Sequence, residues 1–215
     1  MKIEWFGHSC FLVESKGGVR IVTDPYEPGS YNGAVGYSDI GVKSDIVTVS
    51  HKHFDHNYIQ AVPGAEVADN PEEYKIKGVE IRGIASFHDD SRGSKRGNNI
   101  IFVFSLEGMK IAHLGDLGHI PEEISFLKGL DVVFIPVGGV FTLDAGKAGQ
   151  LVNLIKPKIV IPMHFKTEKL KFDIDGVDKF LKGKAGVKNL ESSALTVDED
   201  SLPEETEIWV LTPSR

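Results

Sequence analysis

The chain has 215 residues and a formal net charge of -7, with 24 Lys and Arg against 31 Asp and Glu and a pI near 5.6. A chain of this length buries a substantial core without covalent staples, and its single cysteine, Cys10, excludes an internal disulfide and any cysteine-based zinc cluster. The acidic balance argues against a protein that coats DNA or RNA by releasing counterions from many phosphates, and no apolar run approaches the roughly 18 residues of a membrane span.

The opening segment MKIEWFGHSCFLVE has no basic stretch followed by a long apolar one, so the expectation is a soluble, cytoplasmic protein. Within it IEWFG and CFLVE predict two strands, and SKGGV marks a hairpin turn into a third, VRIVTDP. DIVTVSH is a further strand that runs straight into the polar cluster SHKHFDHN. VEIRGIASFH and NIIFVFSLE follow, and LEGMK turns the chain into KIAHLGD. PEEISFLKG, with proline in its first turn, predicts a short helix. DVVFIPVGG and KIVIPMH are nearly uniform apolar runs, as in strands buried on both faces. Between them FTLDAGKAGQLVNLIK predicts a helix with Leu143, Leu151, Leu154 and Ile155 on one side and Pro157 just past its end. DIDGVDKFLKG predicts a last short helix, and an acidic, loop-like stretch leads to the closing strand EIWVLTP. Strands and helices interleave, with no linker and no internal repeat, which predicts one α/β domain of packed layers over residues 1–215.

SHKHFDHN places four metal-donor candidates, His51, His53, Asp55 and His56, in six residues at the carboxyl end of a strand. A transition metal needs several neutral imidazoles or carboxylates converging to roughly 2.0 to 2.2 Å of one point, and a tight turn after a strand can aim alternate side chains that way. The histidine census agrees. Of eight histidines, His51, His53, His56, His88 and His164 sit at strand ends, and two of the remaining His8, His113 and His119 flank Asp116.

The pattern His51-x-His53-x-Asp55-His56, followed by His88 in SFHDDSRG, Asp116 in HLGDLGH and His164 in IPMHFK, with Asp24 in VTDP before it, resembles the metallo-β-lactamase-fold hydrolase superfamily over about residues 1 to 170. WFGHSCF, HLGDLGH and IPMHFK are similar to its small single-domain branch, which includes ascorbate-6-phosphate lactonase-like proteins and zinc-dependent hydrolases. The resemblance implies a four-layer αββα sandwich, two mixed sheets with helices outside. It also implies that His51, His53 and His88 hold one metal, that Asp55, His56 and His164 hold a second, and that Asp116 bridges them. Two dications about 3.5 to 4 Å apart repel unless an anion lies between them, which a shared carboxylate and a shared hydroxide supply. The His/Asp donor set suits Zn2+ best, and Mn2+ or iron takes the same donors.

The expected reaction is attack by a hydroxide bridging two metal ions on an ester, lactone or phosphodiester of a small anionic substrate. Asp55 is expected to orient that hydroxide, and His119 and Lys166 are the nearest candidates for protonating the leaving group. Asp24 is expected behind a ligating histidine, whose second N–H usually meets a carboxylate or carbonyl, although an Asp-Pro pair also opens turns. For His8 plain burial and support of a ligand stand level, and His113 reads as support. Two basic stretches adjoin ligands, with Arg92, Lys95 and Arg96 after His88 and Lys166, Lys169 and Lys171 after His164. They are either solvated loops or a means of focusing an anion. PVGGVFTLDAG is either a backbone cradle for an oxyanion or a connection with Thr142 as helix cap. Two alternatives share the fold: a nucleic-acid-processing nuclease, which the acidic charge disfavours, and an iron-dependent oxidoreductase, whose di-iron branch has glutamate where this chain has His53. A site that binds metal without turnover fits poorly with the presence of both Asp55 and Asp116. No interface is legible, so oligomeric state is open.

Overall fold

Apolar runs closed by Gly, Asp or Pro become strands in the computed structural model, which describes residues 1–215. The first are β1 (Lys2–Gly7), β2 (Cys10–Glu14), β3 (Arg20–Thr23) and β4 (Ile46–Thr48), with a single turn, α1 (Ser30–Gly33), in the long connection after β3. β5 (Glu66–Ala68) and β6 (Glu73–Ile76) lead into the long hairpin of β7 (Val79–Phe87) and β8 (Asn98–Leu106), followed by β9 (Met109–His113). β10 (Val132–Pro136), α2 (Ala145–Ile155) and β11 (Ile159–Met163) form a crossover unit. α3 (Val177–Leu181), β12 (Val187–Asn189), β13 (Ala194–Thr196) and β14 (Glu207–Val210) complete the order.

The strands form two mixed sheets, ordered β13-β1-β2-β3-β4-β5 and β12-β14-β11-β10-β9-β8-β7-β6. This is the sandwich that the sequence predicts. Alternation along β1 to β3 sends Ile3, Trp5, Phe11, Val13 and Ile21 toward the second sheet, and Leu12 and Val22 to the opposite face. Phe11 meets Phe134 of β10 with ring centroids 4.3 Å apart, which ties the two sheets at mid-height. No helix is long and apolar enough to cross a membrane.

The outer layers are thinner than a full helical cover. α2 buries Ala148, Leu151, Val152 and Ile155 in the same core as β10 and β11, while Leu154 is exposed rather than on the apolar side. On the other side, Leu12, Val22 and Val47 are covered by Tyr26, Val35, Tyr37, Ile40, Leu170 and Ile174. These come from connecting segments that lack helical periodicity, so aromatic rings in loops replace a helix there. PEEISFLKG forms only a 3-10 turn, Ser125–Leu127, with Leu127 its one buried residue and the Glu123 carboxylate accepting from the Ser125 N–H at 2.6 Å. With so little apolar surface to dock, the costly first helical turn is not extended. α3 is likewise cut to five residues. The cap of α2 is Asp144, whose Oδ1 accepts from the Lys147 N–H at 2.8 Å, and not Thr142, whose hydroxyl turns to the Leu143 carbonyl at 3.3 Å.

Topology then places the chemistry. β9, β10 and β11 run parallel, and β7 is antiparallel to β8, itself antiparallel to β9, so the carboxyl ends of β7, β9 and β11 share one edge. His88, Asp116 and His164 lie just beyond those ends. β3 and β4 run parallel in the other sheet and deliver Asp24 and the Ser50 to His56 turn. Asp144→Ala should lower stability by about 1 kcal/mol through loss of the α2 cap, read as a lower urea midpoint at unchanged slope.

Candidate metal centre

Asp116 is the point on which the strand-end side chains converge. Its Oδ2 lies 3.1 Å from His88 Nε2, 3.2 Å from His164 Nε2, 3.3 Å from His56 Nε2 and 3.8 Å from His51 Nε2. The donor atoms of His51, His53 and His88 lie within 4.8 Å of one another, and so do those of His8, Asp55, His56 and His164. All seven ligand candidates from the sequence are therefore brought to one place, and Asp24, His51 and His56 form a third such group that joins the two. The second group also contains His8.

Hydrogen bonds on the far side of the rings set their tautomers. His56 donates Nδ1–H to Asp24 Oδ2 at 3.0 Å, and His88 donates Nδ1–H to the Phe141 carbonyl at 3.0 Å. The Ser50 hydroxyl donates to Asp24 Oδ2 at 2.5 Å and so accepts from His51 Nδ1 at 2.9 Å. In the neutral form of each of the three rings the Nε2 lone pair faces the Asp116 carboxylate. A lone pair facing a carboxylate at this range is repulsive unless a cation lies between them. His51 Nε2, His56 Nε2, Asp55 Oδ1 and Asp116 Oδ1 are also buried without any hydrogen-bond partner. Each such orphan costs roughly 1 to 3 kcal/mol, and a divalent cation is the group that satisfies both donor types together. The residues present thus fit a metal site.

Asp24, fully buried at positive φ, also accepts from the Ser50 N–H at 2.7 Å, so one carboxylate orients two imidazoles and the turn that carries them. His8 is not inert filling. Its Nε2 donates to Asp55 Oδ2 at 3.1 Å, its ring lies 4.2 Å from that of His164, and its carbonyl accepts from the His164 N–H at 3.2 Å. Burial, helped by neighbouring His164, lowers its pKa to about 4 despite Asp55, so it is a neutral donor at pH 7. His113 donates Nε2–H to the Ser9 carbonyl at 2.8 Å and stays outside the cluster. Burial opposes ionisation of Asp116, but in the metal-free protein positive charge on His164, His56 and His88 outweighs it and holds the carboxyl well below the usual range, the place a cation takes when the rings are neutral.

The centre opens into a cleft of about 410 Å³ whose other walls include Tyr31, Lys95, Arg96, Phe141 and Phe172. Lys95 and Arg96 arrive there because the buried Asp89 carboxylate accepts four backbone N–H groups, from Ser91, Gly93, Lys95 and Arg96, at 2.7 to 3.0 Å. Those bonds outweigh its desolvation and lower its pKa to about 2. The other predicted cations are elsewhere. Arg92 pairs with Glu122 at 3.7 Å, and Lys166 donates to the Phe172 carbonyl at 2.6 Å on the exposed side. Neither Lys169 nor Lys171 lines the cleft. His119 accepts the Phe87 N–H at 3.3 Å in a neighbouring groove, so neither it nor Lys166 is placed to protonate a leaving group at the centre. In PVGGVFTLDAG the N–H groups of Gly139, Phe141 and Thr142 are taken by carbonyls within the loop. The loop therefore offers His88 a carbonyl rather than offering an oxyanion a cradle. Tyr31 and Phe172, absent from the sequence-based candidates, carry no local signal beyond being aromatics in connecting segments.

Comparison with known proteins gives the family and the fold. A model of the β-lactamase superfamily domain matches residues 2–164. A UPF0173 metal-dependent hydrolase from Thermococcus kodakarensis is 31% identical over 195 residues, covering 78% of this chain and 85% of the relative. One from Nanoarchaeum equitans is 30% identical and covers 93% of this chain and 99% of its own length. The crystal structure of a proposed Zn-dependent hydrolase of the metallo-β-lactamase superfamily from Thermotoga maritima superposes with a TM-score of 0.79 at 38% identity, covering 98% of this chain and 97% of that one.

The His8 pKa has a consequence for the metal-free protein. Because the folded value lies below the 6.5 of a free imidazole, the unfolded chain binds the extra proton first, so His8 contributes stability that is complete above pH 6.5 and falls away toward pH 4. His8→Gln, which keeps a donor for Asp55 but cannot titrate, should flatten the pH dependence of the urea midpoint across that window.

Proposed function

The chain belongs to the β-lactamase superfamily and, within it, to the UPF0173 metal-dependent hydrolases, and from that premise we propose a hydrolase that works with two divalent cations on an ester, lactone or phosphodiester bond of a small anionic substrate. In this reading His51, His53 and His88 hold one cation, Asp55, His56 and His164 hold the other, and Asp116 lies between. The observation that carries it is the position of Asp116 Oδ2, within 3.1 to 3.8 Å of imidazole nitrogens from both groups. Zinc suits the nitrogen and oxygen donors best. When bound, such a pair of cations acts as a Lewis acid and lowers the pKa of water from 15.7 to roughly 7.

The chain's own residues do the rest. Five neutral imidazoles and two carboxylates leave a pair of dications with excess positive charge, which favours an anionic substrate over a neutral one. Lys95 and Arg96, on the rim of the same cleft, add to that field. Asp55 is held by His8 through Oδ2, which also lies 3.7 Å from His56 Nε2, while its Oδ1 is buried without a hydrogen-bond partner. The Tyr31 hydroxyl is the one phenol lining the cleft, and burial, aided by the Asp55 charge, raises its pKa to about 12. It therefore keeps its proton at pH 7 and is placed to donate to a substrate oxygen.

Protein purified without added metal or chelator should contain about two equivalents of zinc by elemental analysis, falling in Asp116→Ala; a single iron would point to oxygen chemistry instead. Lys95→Gln with Arg96→Gln should raise KM for anionic substrates roughly three- to tenfold, with Arg92→Gln unchanged as the control. An equal effect on neutral substrates would remove the focusing role.

A further inference from the structure

Three rings from three connections, Tyr31, Phe141 and Phe172, line the cleft without being metal-donor candidates, and a fourth, Phe54, packs against Tyr31. Tyr31 meets Phe54 at 6.2 Å and Phe172 at 5.5 Å, and Phe172 meets Phe141 at 5.9 Å, each pair edge to face. The Arg96 guanidinium lies 5.5 Å over the Phe141 ring, so the array ends on a cation. Tyr31 is 44% exposed, Phe54 65% and Val140, next to Phe141, 59%. Three of the five exposed large apolar residues of the molecule thus line this cleft or adjoin a residue that does, Tyr31 directly, Phe54 through its contact with Tyr31 and Val140 beside Phe141 in the chain, which favours a binding surface over scattered surface residues. The backbone supports the same point. Tyr31 and Asn32 sit at φ 52° and 56°, and Val140, a β-branched residue, at φ 58°. Strain of this kind persists where surrounding structure enforces it, and it concentrates at functional sites.

Resting on the hydrolase reading of this site, we infer that the substrate carries a planar apolar ring next to its negative charge, the ring seated among Tyr31, Phe141 and Phe172 and the charge directed to Lys95, Arg96 and the metal centre. Rings already in edge-to-face contact at 5.5 to 5.9 Å leave faces and edges that another ring continues, whereas a flexible alkyl group gains only buried area. The volume, about 410 Å³, suits a ligand of one ring plus an anionic group.

The test is isothermal titration of the protein as purified, with its own metal, against three phosphonates that cannot be hydrolysed at phosphorus. Phenylphosphonate should bind about tenfold more tightly than methylphosphonate and about threefold more tightly than hexylphosphonate. Tyr31→Ala and Phe172→Leu should each lower the ratio of phenylphosphonate to methylphosphonate affinity about threefold, and Phe172→Leu should leave methylphosphonate itself unchanged. Methylphosphonate binding with phenylphosphonate no tighter, or matched by hexylphosphonate, would overturn the aromatic seat and leave the anionic-substrate reading standing. An advantage undiminished in both variants would likewise overturn the seat. Failure of all three ligands to bind would overturn the anionic-substrate reading and this inference together.

Discussion

A carboxylate buried against imidazole nitrogens, Asp116 with His51, His56, His88 and His164, sets the conditions for everything around it. Removing an ionised carboxylate from water costs several kcal/mol unless charge and hydrogen bonds replace the water. Asp116 pairs with no lysine or arginine, so the compensation comes from the imidazole cluster. The backbone beneath is correspondingly rigid. The Asp116 N–H donates to Asn99 Oδ1 at 2.9 Å, and the Asn99 amide donates to Ser86 Oγ and the Leu114 carbonyl. Gly115, at φ 55°, permits this approach, because a Cβ there would lie 2.4 Å from Asn99 Oδ1 and 2.5 Å from Ser50 Cβ.

Around that centre runs a ring of groups that aim the donors without joining them. Asp24 acts on His56 directly and on His51 through Ser50, Phe141 acts on His88 through its carbonyl, and His8 acts on Asp55. Each contact protonates the far side of a ring or fixes one carboxylate oxygen, and so decides which lone pair points inward. Close backbone packing completes the frame. A Cβ on Gly138 would stand 2.2 Å from the His164 carbonyl, and one on Gly118 would stand 2.4 Å from the Asp89 N–H.

The substrate side is built differently from the metal side. Donors sit at strand ends, where the sheets hold them, whereas Tyr31, Lys95, Arg96, Phe141 and Phe172 come from loops. Two of those loops are nonetheless ordered internally, one by four N–H groups on Asp89 and one by hydrogen bonds closing residues 139 to 143. A rigid donor frame with ordered but independent walls lets specificity vary without disturbing the chemistry.

The sequence by itself determined the longer strands and the α/β class and singled out the candidate donors, because side-chain alternation and a dense His/Asp motif are local signals. The grouping of His51, His53 and His88 apart from Asp55, His56 and His164 is what the resemblance implies. Tertiary structure alone decided the partners of those donors and the faces of the cations. His8 and Asp55 are 47 positions apart, and His88 and Phe141 are 53 apart, so no local pattern joins them. Lys95 and Arg96 differ from Arg92 only in where the Asp89-centred loop turns, and Lys166 follows a ligand yet reaches out to Phe172. The reason is physical: periodicity and spacing report what a residue needs, burial or a ligand shell, but the direction of a loop side chain is set by long-range hydrogen bonds that form only when the two sheets meet.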